Sequence, residues 1–395
     1  MKVLITEEIA KEGIEKLNGA GFEVVQKKLS PEELEKEIFE MDALIVRSST
    51  KVTSKIIEAG EKLKIIGRAG TGFDNIDIEA ASKKGIVVKV SPEGNINAVA
   101  ELTLALMIVI SRKVLPAVQK LKENVWKKKE YQGGELKGKN LGIIGCGRIG
   151  KRVAEIAEGF NMKILGYDIF ANDNNDMTNI NFCDLDTLLT GADYVTLHLP
   201  KQNVPVIGEK ELRKMKKTAY LINTSRGGNV DEKALYETLK EKFIAGAAFD
   251  VFEKEGKENE IFFNDLLTLD NFIGVPHLGA STWEAQKETG IQIAEAVIRY
   301  LKEGDWQEAV NLGDEITTES KIEPLNILFV FHEDKPGMFR KITEIFEKCK
   351  INIVDMSSRR MDDGATTIFK TKERLNANSD FIEQIKKLEG VKRVV

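Results

Sequence analysis

The sequence predicts an α/β chain of two doubly wound parallel sheets, followed by a small module of four strands and two helices. Three observations carry this. Short β-branched runs alternate with charged segments of helical period from the N-terminus to about residue 303, the pattern of parallel sheets with crossover helices. The alternation occurs twice, separated by one long apolar stretch, and 395 residues exceed what one hydrophobic core usually supports. The remainder, Leu325 to Val395, runs strand, helix, strand, strand, helix, strand.

In the first segment, Val3 to Thr6, Glu23 to Gln26, Ala43 to Arg47, Ile65 to Gly67 and Ile86 to Val88 read as strands. Helices are expected over Ile9 to Asn18 and Pro31 to Phe39, the second opened by Ser30 as N-cap with Pro31 in first position. A long helix from Asn97 to about Val125 leads into the second alternation. Its strands are Asn140 to Ile144, Lys163 to Tyr167, Tyr194 to His198, Ala219 to Asn223, Ala245 to Asp250 and Phe272 to Val275. A helix from Trp283 to Lys302 follows. Residues 304–324 are polar and without periodicity, and read as a linker. The expected domains are thus 1–95 completed by 284–303, then 96–283, then the module 325–395, whose element order is ferredoxin-like.

The 58 basic and 63 acidic side chains leave a net charge of −5, against the basic face of a nucleic-acid protein. Cys146, Cys183 and Cys349 are far apart and form no metal or disulfide pattern, which suits a reducing cytoplasm. The apolar run Leu102 to Ile110 is too short to span a bilayer, so no membrane partner is expected, and no metal.

The string Gly142-Ile143-Ile144-Gly145-Cys146-Gly147-Arg148-Ile149-Gly150 lies between an apolar strand and a helix opening near Lys151. In that context G-x-G-x-x-G is a dinucleotide-binding turn: Gly145 allows the tight turn, Gly147 a close backbone approach to pyrophosphate, and Gly150 helix-on-strand packing. The helix N-terminus offers unpaired N–H groups to the phosphates. Asp168 ends the next strand, where a carboxylate accepts from ribose hydroxyls and repels a 2′-phosphate. The cofactor expected of this Rossmann-like domain is therefore NAD.

The chain has three histidines: His198 at a strand end in the cofactor domain, His277 in a loop between strand and helix, and His332 in the terminal module. Removing hydride from a carbinol carbon needs a base for the hydroxyl proton and a cation for a neighbouring carboxylate. Arg226, followed by Gly227 and Gly228, has the right fork for a carboxylate. Glu253 and Glu255 are both candidates to hold His277 protonated.

With these residues in order, the chain resembles the D-2-hydroxyacid dehydrogenases, and within them the branch that acts on 3-phospho-D-glycerate. The likeness runs over nearly the whole chain. It rests on Gly67-Arg68-Ala69-Gly70-Thr71-Gly72-Phe73-Asp74-Asn75-Ile76-Asp77, the Gly145 turn, the Arg226 string, Phe249-Asp250-Val251-Phe252 and the His277 string. The resemblance implies Arg226 as substrate-carboxylate ligand, His277 as acid–base and Glu255 as its orienting partner, although Gly256 stands where the family commonly has proline. It implies cofactor contacts at Thr71, Gly145, Gly147, Arg148, Ile149, Gly150, Asp168, His198, Leu199, Pro200, Thr224, Ser225, Asp250, Gly279 and Ala280. Substrate contacts fall on Arg47, Ser48, Gly70 and Asn95. Lys127, Lys128 and Lys129 read as a solvated face that lends positive potential to a phosphorylated substrate.

The terminal module resembles an ACT domain through Val330-Phe331-His332-Glu333-Asp334-Lys335-Pro336-Gly337-Met338. That implies an amino-acid effector such as serine, held by His332, Asp334 and Asn352, with Asp334 in place of the family asparagine. The apolar helix after Asn95 resembles the family's dimerisation helix, so a homodimer or homotetramer is expected. The implied reaction is NAD-dependent oxidation of 3-phospho-D-glycerate to 3-phosphohydroxypyruvate, the first step of the phosphorylated serine pathway. The alternatives are a dehydrogenase for an unphosphorylated 2-hydroxy acid such as glycerate or lactate, and a non-catalytic NAD-sensing protein of the same fold.

Overall fold

The computed structural model describes residues 1–170, 179–256, 259–306, 308–311, 326–361, 364–371 and 380–394. These form two compact units. The first comprises Met1–Ala69, Phe73–Ser91 and Gly290–Val395, and the second Gly70–Gly72 and Pro92–Thr289.

The first unit contains a five-stranded parallel sheet of β1 (Lys2–Ile5), β2 (Glu23–Gln26), β3 (Ala43–Val46), β4 (Ile65–Arg68) and β5 (Val87–Val90), in the order β2-β1-β3-β4-β5. Alternate residues fill two cores. Val3, Ile5, Ile45, Ile65 and Val87 face one, and Leu4, Leu44, Val46, Ile66 and Val88 the other. Burial on both faces makes β1 and β3 near-continuous apolar runs, whereas β2, at the sheet edge, has exposed ends. The helix Pro31–Glu37 starts as expected, with Ser30 and Glu33 exchanging capping-box bonds. Two short helices, Ser54–Ala59 and Ile78–Lys83, were not anticipated. The helix Trp283–Glu303 enters this unit from Gly290. A Cβ on Gly67 would lie 2.8 Å from Ile293, so only glycine lets β4 take this helix so closely.

The second unit holds a seven-stranded parallel sheet: β6 (Asn140–Ile144), β7 (Lys163–Tyr167), β8 (Ile180–Phe182), β9 (Tyr194–Leu197), β10 (Tyr220–Asn223), β11 (Gly246–Phe249) and β12 (Phe272–Gly274). The order is β12-β11-β10-β9-β6-β7-β8, so strand order reverses between β6 and β9, where the Gly145 turn lies. Six strands were expected; β8, three residues with only Ile180 buried, is too short to show a period.

The expected helix to Val125 breaks. It runs Ile96–Ser111, Lys113 turns left-handed at φ 52°, and a separate helix covers Val114–Lys122. The partner comes from outside the helix: Gly134 N–H takes the Ser111 carbonyl at 3.1 Å, in place of a continuing turn.

The terminal module is an antiparallel sheet of β13 (Asn326–His332), β14 (Ile353–Met361), β15 (Gly364–Thr371) and β16 (Val391–Val394), in the ferredoxin-like order β14-β15-β13-β16. Leu328, Val330 and Phe369 pack on its own helices, Met338–Lys348 and Asp380–Lys386. Phe329, Phe331 and Ile368, on the other face, join the core of the first sheet, where Phe329 meets Trp306 edge-to-face at 5.1 Å.

The stretch expected to be linker is therefore partly structural. Trp306 is buried, and Val310 N–H bonds the Val88 carbonyl at 2.9 Å. Asn311 spans the Val88 N–H and Ile86 carbonyl, so these residues cover the edge of β5. The rest of that stretch, 312–324, and residue 307 lie outside the described residues. Among the described residues no helix is long and apolar enough to cross a membrane.

Candidate active site

Arg226 sits in the loop after β10, and that loop is built by two asparagines. Asn223 Oδ1 accepts from the Ser225 N–H (3.0 Å) and hydroxyl (2.7 Å), an Asx turn, while its amide donates to the Arg226 carbonyl at 3.1 Å. Asn229, fully buried, donates to Ser225 Oγ and the Pro200 carbonyl, both at 3.2 Å, and accepts from Gln202 N–H at 3.0 Å. The guanidinium is half-buried and donates to the Ser225 carbonyl at 2.7 Å. Gly227 lies against the next loop so closely that a Cβ would stand 1.8 Å from the Phe252 carbonyl oxygen.

His277 follows β12 in a left-handed backbone, φ 53°. Asp250, buried at the end of β11, holds that conformation from below. Its carbonyl accepts the His277 N–H at 2.9 Å, and its carboxylate oxygens accept from Leu278 (2.5 Å) and Gly279 (2.9 Å). Burial nonetheless pushes the Asp250 carboxyl above its ordinary range. Asp250, expected among the cofactor contacts, is thus also the brace of the histidine loop.

His277 Nδ1 is 3.0 Å from Glu255 Oε2. The carboxylate can only accept, so Nδ1 carries the proton and Nε2 is the nitrogen left for substrate. Glu255, rather than Glu253, is the partner; the Glu253 backbone N–H bonds Glu232 at 2.5 Å. The hydrogen bond from Glu255 raises the His277 pKa above the ordinary imidazole value, against burial and the nearby Arg226 charge. Arg226, Glu255 and His277 are therefore brought together in one unit.

The cofactor turn has the expected form. Gly145 stands at φ 91° with the His198 carbonyl 2.6 Å from where a Cβ would be, and a Cβ on Gly150 would strike the Gly145 carbonyl. Gly147 is exposed with open space beside it, as backbone approach to a pyrophosphate requires, and it caps the helix Arg148–Gly159. Asp168 accepts from Cys146 N–H at 2.8 Å and Phe170 N–H at 2.9 Å, which pins its carboxylate beside the turn. His198 Nδ1 is buried without a hydrogen-bond partner, and burial pushes its pKa down to about 3. These residues fit a dinucleotide.

Several expected contact residues make internal hydrogen bonds. Thr224 bonds Thr103 at 2.8 Å, and the Ala280 carbonyl accepts from Gln286 at 2.8 Å. Ile149 is half-buried at the helix start, with Arg148 beside it, exposed; Leu199 and Pro200 follow β9. Thr71 donates to Asn95 Oδ1 at 2.5 Å beside buried Gly70. Arg47 and Ser48 lie after β3 in the first unit, where the Arg47 guanidinium reaches the Glu8 carbonyl at 3.3 Å. Lys127 pairs with Glu130 at 3.1 Å.

In the terminal module His332 is buried. Its Nδ1 bonds the Glu333 carbonyl at 2.8 Å and its Nε2 the Thr367 hydroxyl at 2.7 Å, so both ring nitrogens are used. Asp334 pairs with Arg360 at 2.7 Å, and Asn352 is exposed before β14.

Asn223 and Asn229 were missed from sequence. The available signal was an amide two residues before, and one four residues after, a buried serine in a glycine-containing turn.

Residues 104–279 match the model of the D-isomer specific 2-hydroxyacid dehydrogenase NAD binding domain, and 326–390 that of the ACT domain. The chain is 44% identical to a D-3-phosphoglycerate dehydrogenase of Methanocaldococcus jannaschii over 316 residues, 79% of this chain and 60% of that protein. It is 44% identical to a hydroxypyruvate reductase of Thermotoga maritima over 303 residues, 76% of this chain and 98% of that one. NAD-bound 3-phosphoglycerate dehydrogenase of Entamoeba histolytica superposes with TM-score 0.65 at 33% identity, over 78% of this chain and 98% of that one. The chain thus spans about 60% of the length of the first phosphoglycerate dehydrogenases it matches.

Proposed function

The chain belongs to the D-isomer specific 2-hydroxyacid dehydrogenase family, and on that footing we propose that it oxidises C2 of 3-phospho-D-glycerate to give 3-phosphohydroxypyruvate, at the head of a serine-forming pathway. The observation that carries the chemistry is the His277–Glu255 pair with Arg226 beside it. Arg226 offers a planar fork to the substrate carboxylate and polarises the adjacent C2 oxygen. His277 Nε2 takes the hydroxyl proton, and Glu255 stabilises the imidazolium that results. NAD, when bound at the Gly145 turn, would supply the hydride acceptor. In the reverse direction the same imidazolium returns the proton to the carbonyl oxygen.

Phosphoglycerate is favoured by the ACT module joined to a dehydrogenase and by relatives named for that substrate. Arg47 and Ser48 are the residues we assign to the phosphorylated end, and Gly70 and Asn95 are assigned to the substrate as well. A second reading, reduction of hydroxypyruvate, draws on the T. maritima protein, matched over nearly its whole length. We assign serine-type effector binding to the module through Asp334 and Asn352. His332 contributes only by exchanging its Thr367 or Glu333 bond for the ligand. A dimer through the helix Ile96–Ser111 and its surroundings is part of the same proposal.

NADH formation with 3-phospho-D-glycerate, D-glycerate and D-lactate separates the readings. Preference for the phosphorylated acid supports the first. Preference for an unphosphorylated acid overturns it while leaving the dehydrogenase, and no turnover with any acid overturns both.

A further inference from the structure

Glu7 lies two residues beyond the end of β1, and its carboxylate is turned into the loop that follows β3. Oε1 accepts the N–H groups of Arg47 and Thr50, each at 2.9 Å, and Oε2 accepts that of Ser49 at 3.0 Å. Three donors of one loop are thus gathered on one side chain. The other side of the loop is held as well. Asn75 Nδ2 donates to the Arg47 and Thr50 carbonyls, both at 2.7 Å, and the Thr50 hydroxyl bonds that of Thr6 at 2.9 Å. Burial alone would raise the Glu7 carboxyl, but the N–H groups of Thr50, Arg47 and Ser49 outweigh it and hold it below the ordinary carboxylate range.

Backbone N–H groups converging on one point form a concavity suited to anions. Here the protein fills that concavity with its own carboxylate. The N–H groups of Arg47, Ser49 and Thr50 are consumed, and the side chains that the loop offers an anion are the Arg47 guanidinium and the Ser48 hydroxyl, Ser48 being exposed. Asn75 lies within the Gly67–Asp77 string, so one part of that motif serves this loop rather than the cofactor.

We infer that Glu7 and Asn75 are positioning residues, a two-sided clamp that presets Arg47 and Ser48 for the phosphate end of the substrate. The inference rests on the assignment of Arg47 and Ser48 to that end. Glu7 touches no substrate. It acts by sparing the binding step the entropy of ordering a four-residue loop.

The test is reduction of 3-phosphohydroxypyruvate and of hydroxypyruvate by the full-length chain, with Glu7→Gln, Glu7→Asp and Arg47→Ala beside the wild type. Glutamine keeps the shape but replaces one acceptor oxygen with a donor. The expected result for Glu7→Gln is a KM for 3-phosphohydroxypyruvate raised about tenfold, the scale of charge-assisted bonds lost. kcat, the KM for NADH and kcat/KM for hydroxypyruvate stay within about twofold. Glu7→Asp keeps the charge with shorter reach and gives the same selective rise at smaller amplitude; it carries the test if the glutamine variant melts below assay temperature. Equal losses on both substrates, or an unchanged KM for the phosphorylated one, overturn the clamp. Arg47→Ala separates the two claims. If it leaves the phosphorylated KM unchanged, the assignment of Arg47 itself fails; if it raises that KM while the Glu7 variants do not, only the clamp fails.

Discussion

Glu255 Oε2 holds His277 Nδ1 at 3.0 Å, and in the proposed reaction this bond decides which ring nitrogen works and at what pH. Because the carboxylate favours the charged ring, the His277 pKa lies above the ordinary value. Oxidation needs the neutral ring, so its rate rises as pH passes up through that pKa; reduction needs the charged ring and falls over the same interval. Glu255→Gln removes the stabilising charge and moves both limbs to lower pH, with kcat lowered about 10- to 100-fold. Paired pH–rate profiles in the two directions check this. A midpoint that stays in place, or moves up, contradicts the role given to Glu255.

Gly227 has no room for a side chain, since the Phe252 carbonyl oxygen would be 1.8 Å from its Cβ. Gly227→Ala must push the Arg226 loop from the Phe252 loop. It is expected to cost about 2–4 kcal/mol of stability and most of the activity. Gly134→Ala, with nothing within 4 Å of the new methyl, is the control and should melt within about 1 °C of wild type. Thermal melting and turnover of the two variants make the comparison.

The Asp168 carboxylate is pinned by the Cys146 and Phe170 N–H groups. A fixed negative charge there disfavours a 2′-phosphate. Asp168→Ser should raise the KM for NAD about tenfold and narrow the preference over NADP by a similar factor. Steady-state KM values for both cofactors read this out, and an unchanged ratio would show that another group sets the preference.

Cys146, in the middle of the glycine turn, is buried and its thiol is pushed up to about 12, chiefly by desolvation. It should resist iodoacetamide at pH 8 until the protein is unfolded. Labelling followed by peptide mass spectrometry gives the answer, and rapid reaction in the folded protein would mean that the turn opens.

Legibility of the chain from sequence followed the range of the interactions. The Gly145 turn and Asp168 lie within one strand–helix–strand unit, and their spacing states their purpose. Long strands such as β6 and β7 show as apolar runs because both faces are buried. β8 does not, since three residues cannot display a period, and the short helices Ser54–Ala59 and Ile78–Lys83 fail for the same reason. The break at Lys113 depends on Gly134, and the burial of Trp306 on Phe329, partners that no local pattern can supply. Arg226 and His277 were visible as residue types. The choice of Glu255 over Glu253 took the family's spacing, and the geometry then agreed with it. Glu7 and the paired asparagines around Arg226 went unseen. Their role lies in backbone groups about 40 residues away for Glu7, and in a turn that sequence shows only as polar for the asparagines.

The most direct test of hydride transfer at this site uses 3-phospho-D-glycerate deuterated at C2, with NAD and the full chain in ordinary water. Proton NMR of the reduced cofactor should show one deuterium at nicotinamide C4 for each NADH formed, with none lost to solvent. NADH without deuterium, or no reduction of NAD at all, would contradict the account.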